Sequence, residues 1–288
     1  MVGYLLMILY TFLNLGESIA VKEYSKKYGS GGMLMNGVIA LFATLFFVIT
    51  DTDGFNAPLE MIPFALINAV LFAAGYYYAF VAYATGSYGL TRLITSFGLL
   101  FSIFYGIFFL EEPTTVFTYI GIALILAALV LINYHKRKEG EPSSIRPRWV
   151  FAIIAVLISN GFIGILTRHQ QILFNDSCSK EFQIISIGLS ALILLVLGLT
   201  KFKADNKTVM TRGVIYGGVA GIMNGAKNFV TLAIYLHLPL SIISPTKTGL
   251  GLLLSFAMAI IVYKEKYTLR QIIGVVLGAA AVIILAIS

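Results

Sequence analysis

Two lysines stand inside apolar runs long enough to cross a bilayer. Lys227 and Lys247 fall in the stretch Gly213–Ile261, whose two halves join at a turn around His237–Pro239. An ionisable residue within a span costs roughly 2.5–3.5 kcal/mol on insertion scales, so it points to function. Lys227 precedes Tyr235 by eight residues, and Lys247 follows Pro239 by eight. At about 1.5 Å of rise per residue, both lie about 12 Å below one membrane face. That is near the middle of a core about 30 Å thick. Gly217, Gly221, Asn224, Asn228 and Thr231 share one helical face, with Lys227 at its border. Ser241, Ser244, Thr248, Gly251 and Ser255 make a second such face beside Lys247. Two polar, lysine-bearing faces at one depth describe the wall of a wet cavity. The glycines alone are better explained by close helix packing.

The chemistry of such a wall is binding. The lysines attract an anionic or zwitterionic solute, and Asn224, Asn228, Thr231, Ser244 and Thr248 supply hydrogen bonds. Either lysine is a candidate for a coupling proton. In the third apolar run, Tyr76 and Tyr83 lie seven residues apart on one face and are further candidates for the lining. The one acid within a span, Glu17, shares a face with Tyr10 and Asn14, and Arg92 falls early in the fourth run. Counted from the run ends, Glu17 and Arg92 lie at one level, away from the lysines. That predicts a pair that is either a gate or a structural ion pair. Arg168 and His169, near the end of the sixth run, are expected to snorkel to the interface.

Composition sets the class of chain that positions these residues. Of 288 residues, 59% are apolar and 11% charged, where a soluble domain carries about 25% charged. Ten apolar segments of helical length can be counted: 2–20, 33–50, 62–83, 87–109, 115–133, 149–173, 182–200, 212–235, 239–262 and 268–287. The first has no basic flank and no small-x-small cleavage site, so it is read as a span rather than a signal peptide. The expectation is an all-α integral membrane protein with ten transmembrane helices. The single cysteine, Cys178, allows no intrachain disulfide. The net charge of +7 sits mostly in loops and implies no nucleic-acid partner.

The segment 135–148, holding Lys136, Arg137, Lys138, Pro142 and Pro147, reads as a basic linker. It separates a first five-helix repeat, 1–134, from a second, 149–288. The two repeat each other at an offset of 153. Glu112 and Gly121 fall on Glu265 and Gly274, and Thr91, Thr95, Gly98 and Ser102 on Ser244, Thr248, Gly251 and Ser255. Five is odd, so the second copy enters the membrane inverted, as in many secondary transporters. Glu111, Glu112 and Glu265 sit at helix ends and are read as caps or loop ligands rather than catalytic acids. Thr268 and Gln271 form a capping box.

Catalytic motifs are missing from this pattern. His135, His169 and His237 are scattered, with no metal-ligand spacing, nucleophile elbow or phosphate-cradling loop. No cofactor or metal is expected. An enzyme acting on lipid-linked substrates is a remote alternative that would need clustered acids or histidines.

The ends of the two halves carry a resemblance. They are Phe108-Phe-Leu-Glu-Glu-Pro-Thr-Thr with Gly121-Ile-Ala-Leu-Ile, and Val262-Tyr-Lys-Glu-Lys-Tyr-Thr-Leu-Arg-Gln with Gly274-Val-Val-Leu. With the ten spans, these endings resemble the ten-helix drug/metabolite transporter superfamily, its EamA-like branch. The resemblance implies transport without ATP hydrolysis through a central cavity between the halves, in a chain that can work as a monomer. Together these readings predict a secondary transporter of a small polar metabolite, such as a carboxylate, an amino acid or a phosphorylated solute, moved by alternating access. The rival is an exporter of cationic drugs or metabolites using Glu17.

Orientation follows from loop charge. Fifteen Lys and Arg residues, from Lys22 to Arg270, fall in loops after odd-numbered runs, and Lys180 in a loop after an even one. Basic loops stay in the cytoplasm. The chain is therefore expected in the cell (plasma or inner) membrane with both termini outside, although the resemblance implies the reverse. A cysteine placed at Ser143 should resist a membrane-impermeant maleimide in intact cells, and one at Asn56 should react. The opposite labelling pattern reverses the orientation.

Overall fold

The computed structural model describes residues 2–29, 31–52, 54–85, 91, 94–133, 147–201, 206–261 and 268–287. Among these, ten helices have ten or more residues. The first half holds α1 (Val2–Tyr28), α2 (Gly32–Thr50), α3 (Ile62–Thr85), α4 (Leu99–Phe108) and α5 (Val116–Asn133). The second holds α6 (Pro147–Leu173), α7 (Ser179–Lys201), α8 (Val214–Tyr235), α9 (Leu240–Ile261) and α10 (Leu269–Ala286). Most bounds lie within a few residues of the apolar runs. Most of the segment 135–148, as well as Glu265 and Arg92, lies outside the described residues.

The clearest departure is α1. The apolar run stops near Ala20, but the helix continues through Lys22, Glu23, Lys26 and Lys27 to Tyr28. Those polar residues are good helix formers. The helix stops only where Gly29 takes φ +82°, with its N–H bonded to the Ser25 carbonyl at 3.0 Å. Glycine takes this left-handed conformation without a side-chain clash. The fourth element departs in another way. A helical turn at 94–96 is separated from α4 by a turn at Phe97–Gly98. There the bonds tighten to i→i−3, from Phe97 to Ile94 and from Gly98 to Thr95.

Seven of the described helices are long and apolar enough to cross a membrane. Helix α8 is not among these seven, and Asn224, Lys227 and Asn228 lower its hydropathy. Its 22 residues would still extend about 33 Å, enough for the hydrocarbon core. Outward-facing side chains are large and apolar on almost every helix, including Phe12, Leu45, Leu66, Phe104, Val116, Ile154, Val196, Ile215, Ile260 and Ile283. Exposed apolar surface this extensive fits contact with lipid.

Helix α1 packs on α8 and α9, α2 on α7 and α8, and α3 on α6 and α7. Helix α4 packs on α6 and α9, and α10 on α5 and α9. The contact between α2 and α8 is the closest approach that glycine explains. A Cβ on Gly221 would lie 2.5 Å from the Ile39 carbonyl oxygen, and one on Gly225 would lie 3.0 Å from that of Ala43. The glycines of the polar face on α8 thus serve packing, as their type suggested. Cys178, between α6 and α7, is buried and bonded by Gln170 Nε2 at 3.3 Å. Burial pushes its thiol pKa up, which favours the unreactive protonated form.

Gly221→Ala should lower thermal stability in detergent. The alanine gains up to about 1 kcal/mol of helix propensity, but the clash with backbone costs about 1–3 kcal/mol. Gly251→Ala, where a Cβ meets nothing within 4 Å, should leave the melting temperature unchanged or slightly raised. Equal behaviour of the two variants would refute the close contact.

Candidate functional site

A cavity of about 580 Å³ opens between the two halves. Helices α1, α3, α4, α5, α6, α7, α8 and α9 all contribute to it. Its polar lining includes Asn14, Thr95, Ser102, Asn160, Gln183 and Lys247. Of the residues expected to bind solute, Asn228, Thr231, Ser244, Lys247 and Thr248 reach this wall. Lys227, Asn224 and Tyr76 do not line it. They stand one layer behind.

That second layer is organised by an ion pair. Lys227 Nζ pairs with Glu17 Oε2, both side chains being 15% exposed. Asn224 Nδ2 donates to Glu17 Oε1 at 2.9 Å, and Asn228 Nδ2 donates to Asn224 Oδ1 at 3.0 Å. Lys227 Nζ also donates to Asn14 Oδ1 at 3.1 Å. Tyr76 lies beside this group, close to Asn224, Glu17 and Lys227. The expected level of Glu17 is therefore corrected. It does not lie near the far face with Arg92 but at the level of Lys227. The cause is the length of α1, whose midpoint is residue 15, so Glu17 sits two residues past the centre. Arg92 and the side chain of Tyr83 fall outside the described residues, so their expected places in a gate and in the cavity wall have no structural counterpart here.

Lys247 is held differently. Its Nζ donates to Thr231 Oγ1 at 3.0 Å and lies 3.9 Å from the centroid of the Tyr10 ring. A cation over an aromatic face recovers part of its lost hydration. Thr231 in turn donates to the Lys227 carbonyl at 2.9 Å. Among the described residues no carboxylate pairs with Lys247. The two lysines, alike in sequence, thus differ in role: one is neutralised behind the wall, and the other lies in the wall.

Other side chains resolve the remaining expectations. His169 is half-buried, and its Nδ1 lies 2.5 Å from the Tyr105 hydroxyl of α4. Arg168 Nε is buried without a hydrogen-bond partner among the described residues. Glu112 is a cap, but of a helix in the other half. Its carboxylate accepts the N–H groups of Leu240 at 2.6 Å and Ser241 at 2.8 Å, at the start of α9. Thr268 N donates to Gln271 Oε1 at 3.0 Å, completing the expected capping box. No group of three His, Cys, Asp or Glu residues able to hold a metal occurs among the described residues.

Asn160 and Gln183 line the cavity and were not anticipated. Helical period could have marked them: Asn160 shares a face with Gly164 and Thr167, and Gln183 with Ser186 and Ser190. Thr95 and Ser102 also line it, and these were legible through the offset of 153.

Breaking the ion pair should destabilise the fold more than removing it. Glu17→Gln or Lys227→Met alone leaves a charge unpaired, at a cost of about 3–5 kcal/mol. The double variant should recover most of that loss in melting temperature. Additive losses would show that the two residues do not interact.

The sequence and the fold both have counterparts among known proteins. A crystal structure of another protein superposes with a TM-score of 0.71 over 99% of this chain and 98% of that one. At 12% identity this likeness shows the fold alone. Two curated relatives, from Listeria innocua and Listeria monocytogenes, are each 25% identical over 183 residues, 62% of this chain. Both bear the name "Putative sugar uptake protein". The chain spans about 60% of the length of these relatives. Residues 1–134 match the model of the EamA-like transporter family. That half of the chain is similar to EamA-like transporters, and seven of the described helices are long and apolar enough to cross a membrane.

Proposed function

We propose that the protein is a secondary transporter that moves a small polar solute carrying an anionic group. The observation behind this reading is Lys247, an ammonium in the cavity wall with no carboxylate partner among the described residues. Around it the wall offers hydroxyls and amides, which suit a hydroxylated or phosphorylated metabolite. The volume of about 580 Å³ falls in the range of small-molecule sites, about 300–1,000 Å³.

Alternating access would run between the repeats 1–134 and 149–288, with 135–148 as their linker. The helix pairing supports this division. Exchanging each helix for the one five places on maps the α1–α8 pair onto α3–α6, α2–α8 onto α3–α7, and α1–α9 onto α4–α6. The pairs α2–α7, α4–α9 and α5–α10 map onto themselves. Such pairing fits two five-helix units related by a pseudo-twofold axis; our reading makes them inverted repeats and, from loop charge alone, sets the chain in the cell membrane with its termini outside.

A second reading is uptake of a neutral sugar. It rests on the names of the two Listeria relatives and on the uncharged amides and hydroxyls of the wall. Export of cations through Glu17 fits less well, because Lys227 already neutralises that carboxylate. Purified Lys247→Gln in proteoliposomes separates these readings. It should lose uptake of an anionic substrate such as gluconate while remaining folded. Unchanged gluconate uptake, or glucose uptake that both wild type and variant sustain without any gluconate uptake, would refute the anionic reading.

A further inference from the structure

The amides in the cavity wall are not free to face either way. An ammonium can only donate a hydrogen bond, and a carboxylate can only accept one. Lys227 Nζ donates to Asn14 Oδ1, so the carbonyl of Asn14 is committed to the layer behind. What Asn14 has left for the cavity is its NH₂ group. Glu17 Oε1 accepts from Asn224 Nδ2, which turns the Asn224 carbonyl away from the carboxylate. That carbonyl accepts from Asn228 Nδ2. With one N–H so committed, what Asn228 has left is its carbonyl oxygen, its only acceptor, and a second N–H. Asn14 and Asn228 both line the cavity, as does Lys247. Turning Asn224 over would set oxygen against oxygen at Glu17, turning Asn228 over would set its oxygen against the Asn224 carbonyl, and turning Asn14 over would set N–H against ammonium at Lys227.

We propose that the buried Glu17–Lys227 pair fixes the hydrogen-bond polarity of the cavity, so that Asn14 presents a donor, Asn228 an acceptor and Lys247 a cation. Glu17, Asn224 and Lys227 are then positioning residues, and Asn14 and Asn228 determine specificity. The complementary solute is a hydroxylated carboxylate. Its carboxylate is met by Lys247 and by the Asn14 NH₂ group, and a hydroxyl donates to Asn228 Oδ1. A solute with acceptors alone leaves Asn228 Oδ1 unsatisfied in the closed site, and an uncharged one leaves Lys247 without its counter-ion. This inference rests on the anionic reading of the cavity and narrows it.

Swapping the charges tests the polarity without removing the ion pair. In Glu17→Lys/Lys227→Glu the relay runs backwards. The ammonium now on α1 donates to the Asn224 carbonyl, Asn224 donates to Asn228, and Asn228 turns its NH₂ toward the cavity. The carboxylate now on α8 accepts from Asn14, whose carbonyl then faces the cavity. The probes are gluconate and glucose, read by ligand-induced stabilisation of the purified full-length protein. Wild type should be stabilised by gluconate. The swapped protein should keep a wild-type melting temperature without ligand but bind gluconate about tenfold or more weakly, the effect of leaving one or more buried groups unpaired. A purely structural ion pair would be rescued by the swap, so wild-type gluconate affinity there overturns the inference and leaves the anionic reading standing. If the swapped protein does not fold, Asn224→Leu decides. It keeps the ion pair and cuts the relay, and its gluconate affinity should fall several-fold; unchanged affinity overturns the inference. Wild type stabilised by neither probe, or by glucose alone, overturns the anionic reading and this inference together.

Discussion

Charge buried in a membrane bundle must be neutralised or hydrated, and this requirement organises the interior. Glu17 and Lys227 meet it together. An isolated charge at that depth would cost several kcal/mol, whereas the pair shares hydrogen bonds with Asn224 and Asn14. The pairing fixes the depth of α1 against α8. On the neighbouring face of α8, Gly217, Gly221 and Gly225 receive α2, so three helices are locked around one charged centre. Lys247 meets the same requirement by another route. Its ammonium rests on Thr231 and the Tyr10 ring and otherwise faces the cavity. Thr231 is itself anchored to the Lys227 carbonyl, so the support of the second lysine passes through the helical turn that carries the first.

Much of this fold was legible because a bilayer demands long apolar helices, and nearly every run has its helix. What apolarity marks is contact with lipid, not where a helix ends. The end of α1 is set by the backbone of Gly29, well past the end of the apolar run at Ala20. Lysine and glutamate continue a helix about as well as leucine does, so the change to polar residues after Ala20 did not stop it. That difference moved Glu17 from the edge of a run to the middle of a helix, within reach of Lys227. Periodicity likewise placed Asn224, Lys227, Asn228 and Thr231 on neighbouring faces but could not rank them by depth from the cavity. Which lysine is covered depends on a carboxylate from α1, in the other half of the chain. The 153-residue offset did better, since it drew Thr95, Gly98 and Ser102 toward Ser244, Thr248 and Gly251. Among these, Thr95 falls on Thr248 and Gly98 on Gly251, and all six residues meet in one wall.

The cavity has one stiff side and one with interrupted helices. The α1–α8 side holds the ion pair and its amide relay. On the opposite side the helical ladder is broken at Phe97–Gly98, before α4, where bonds tighten to i→i−3. Pro245 lies inside α9 and offers no N–H to the carbonyl of Ser241. Helices α4 and α9 pack on each other, and residues next to both interruptions, Gly98 and Ser244, line the cavity. The start of α9 is held from the other half by Glu112, whose carboxylate meets the partial positive charge of a helix N-terminus. A solute bound against Lys247, as proposed, would touch the ion-pair wall through Asn14 and Asn228 and the interrupted one through Ser244 and Thr248. If access alternates as proposed, rearrangement would be least costly where the backbone ladder is already incomplete, at the α4–α9 pair, and the charged wall would hold the solute in register.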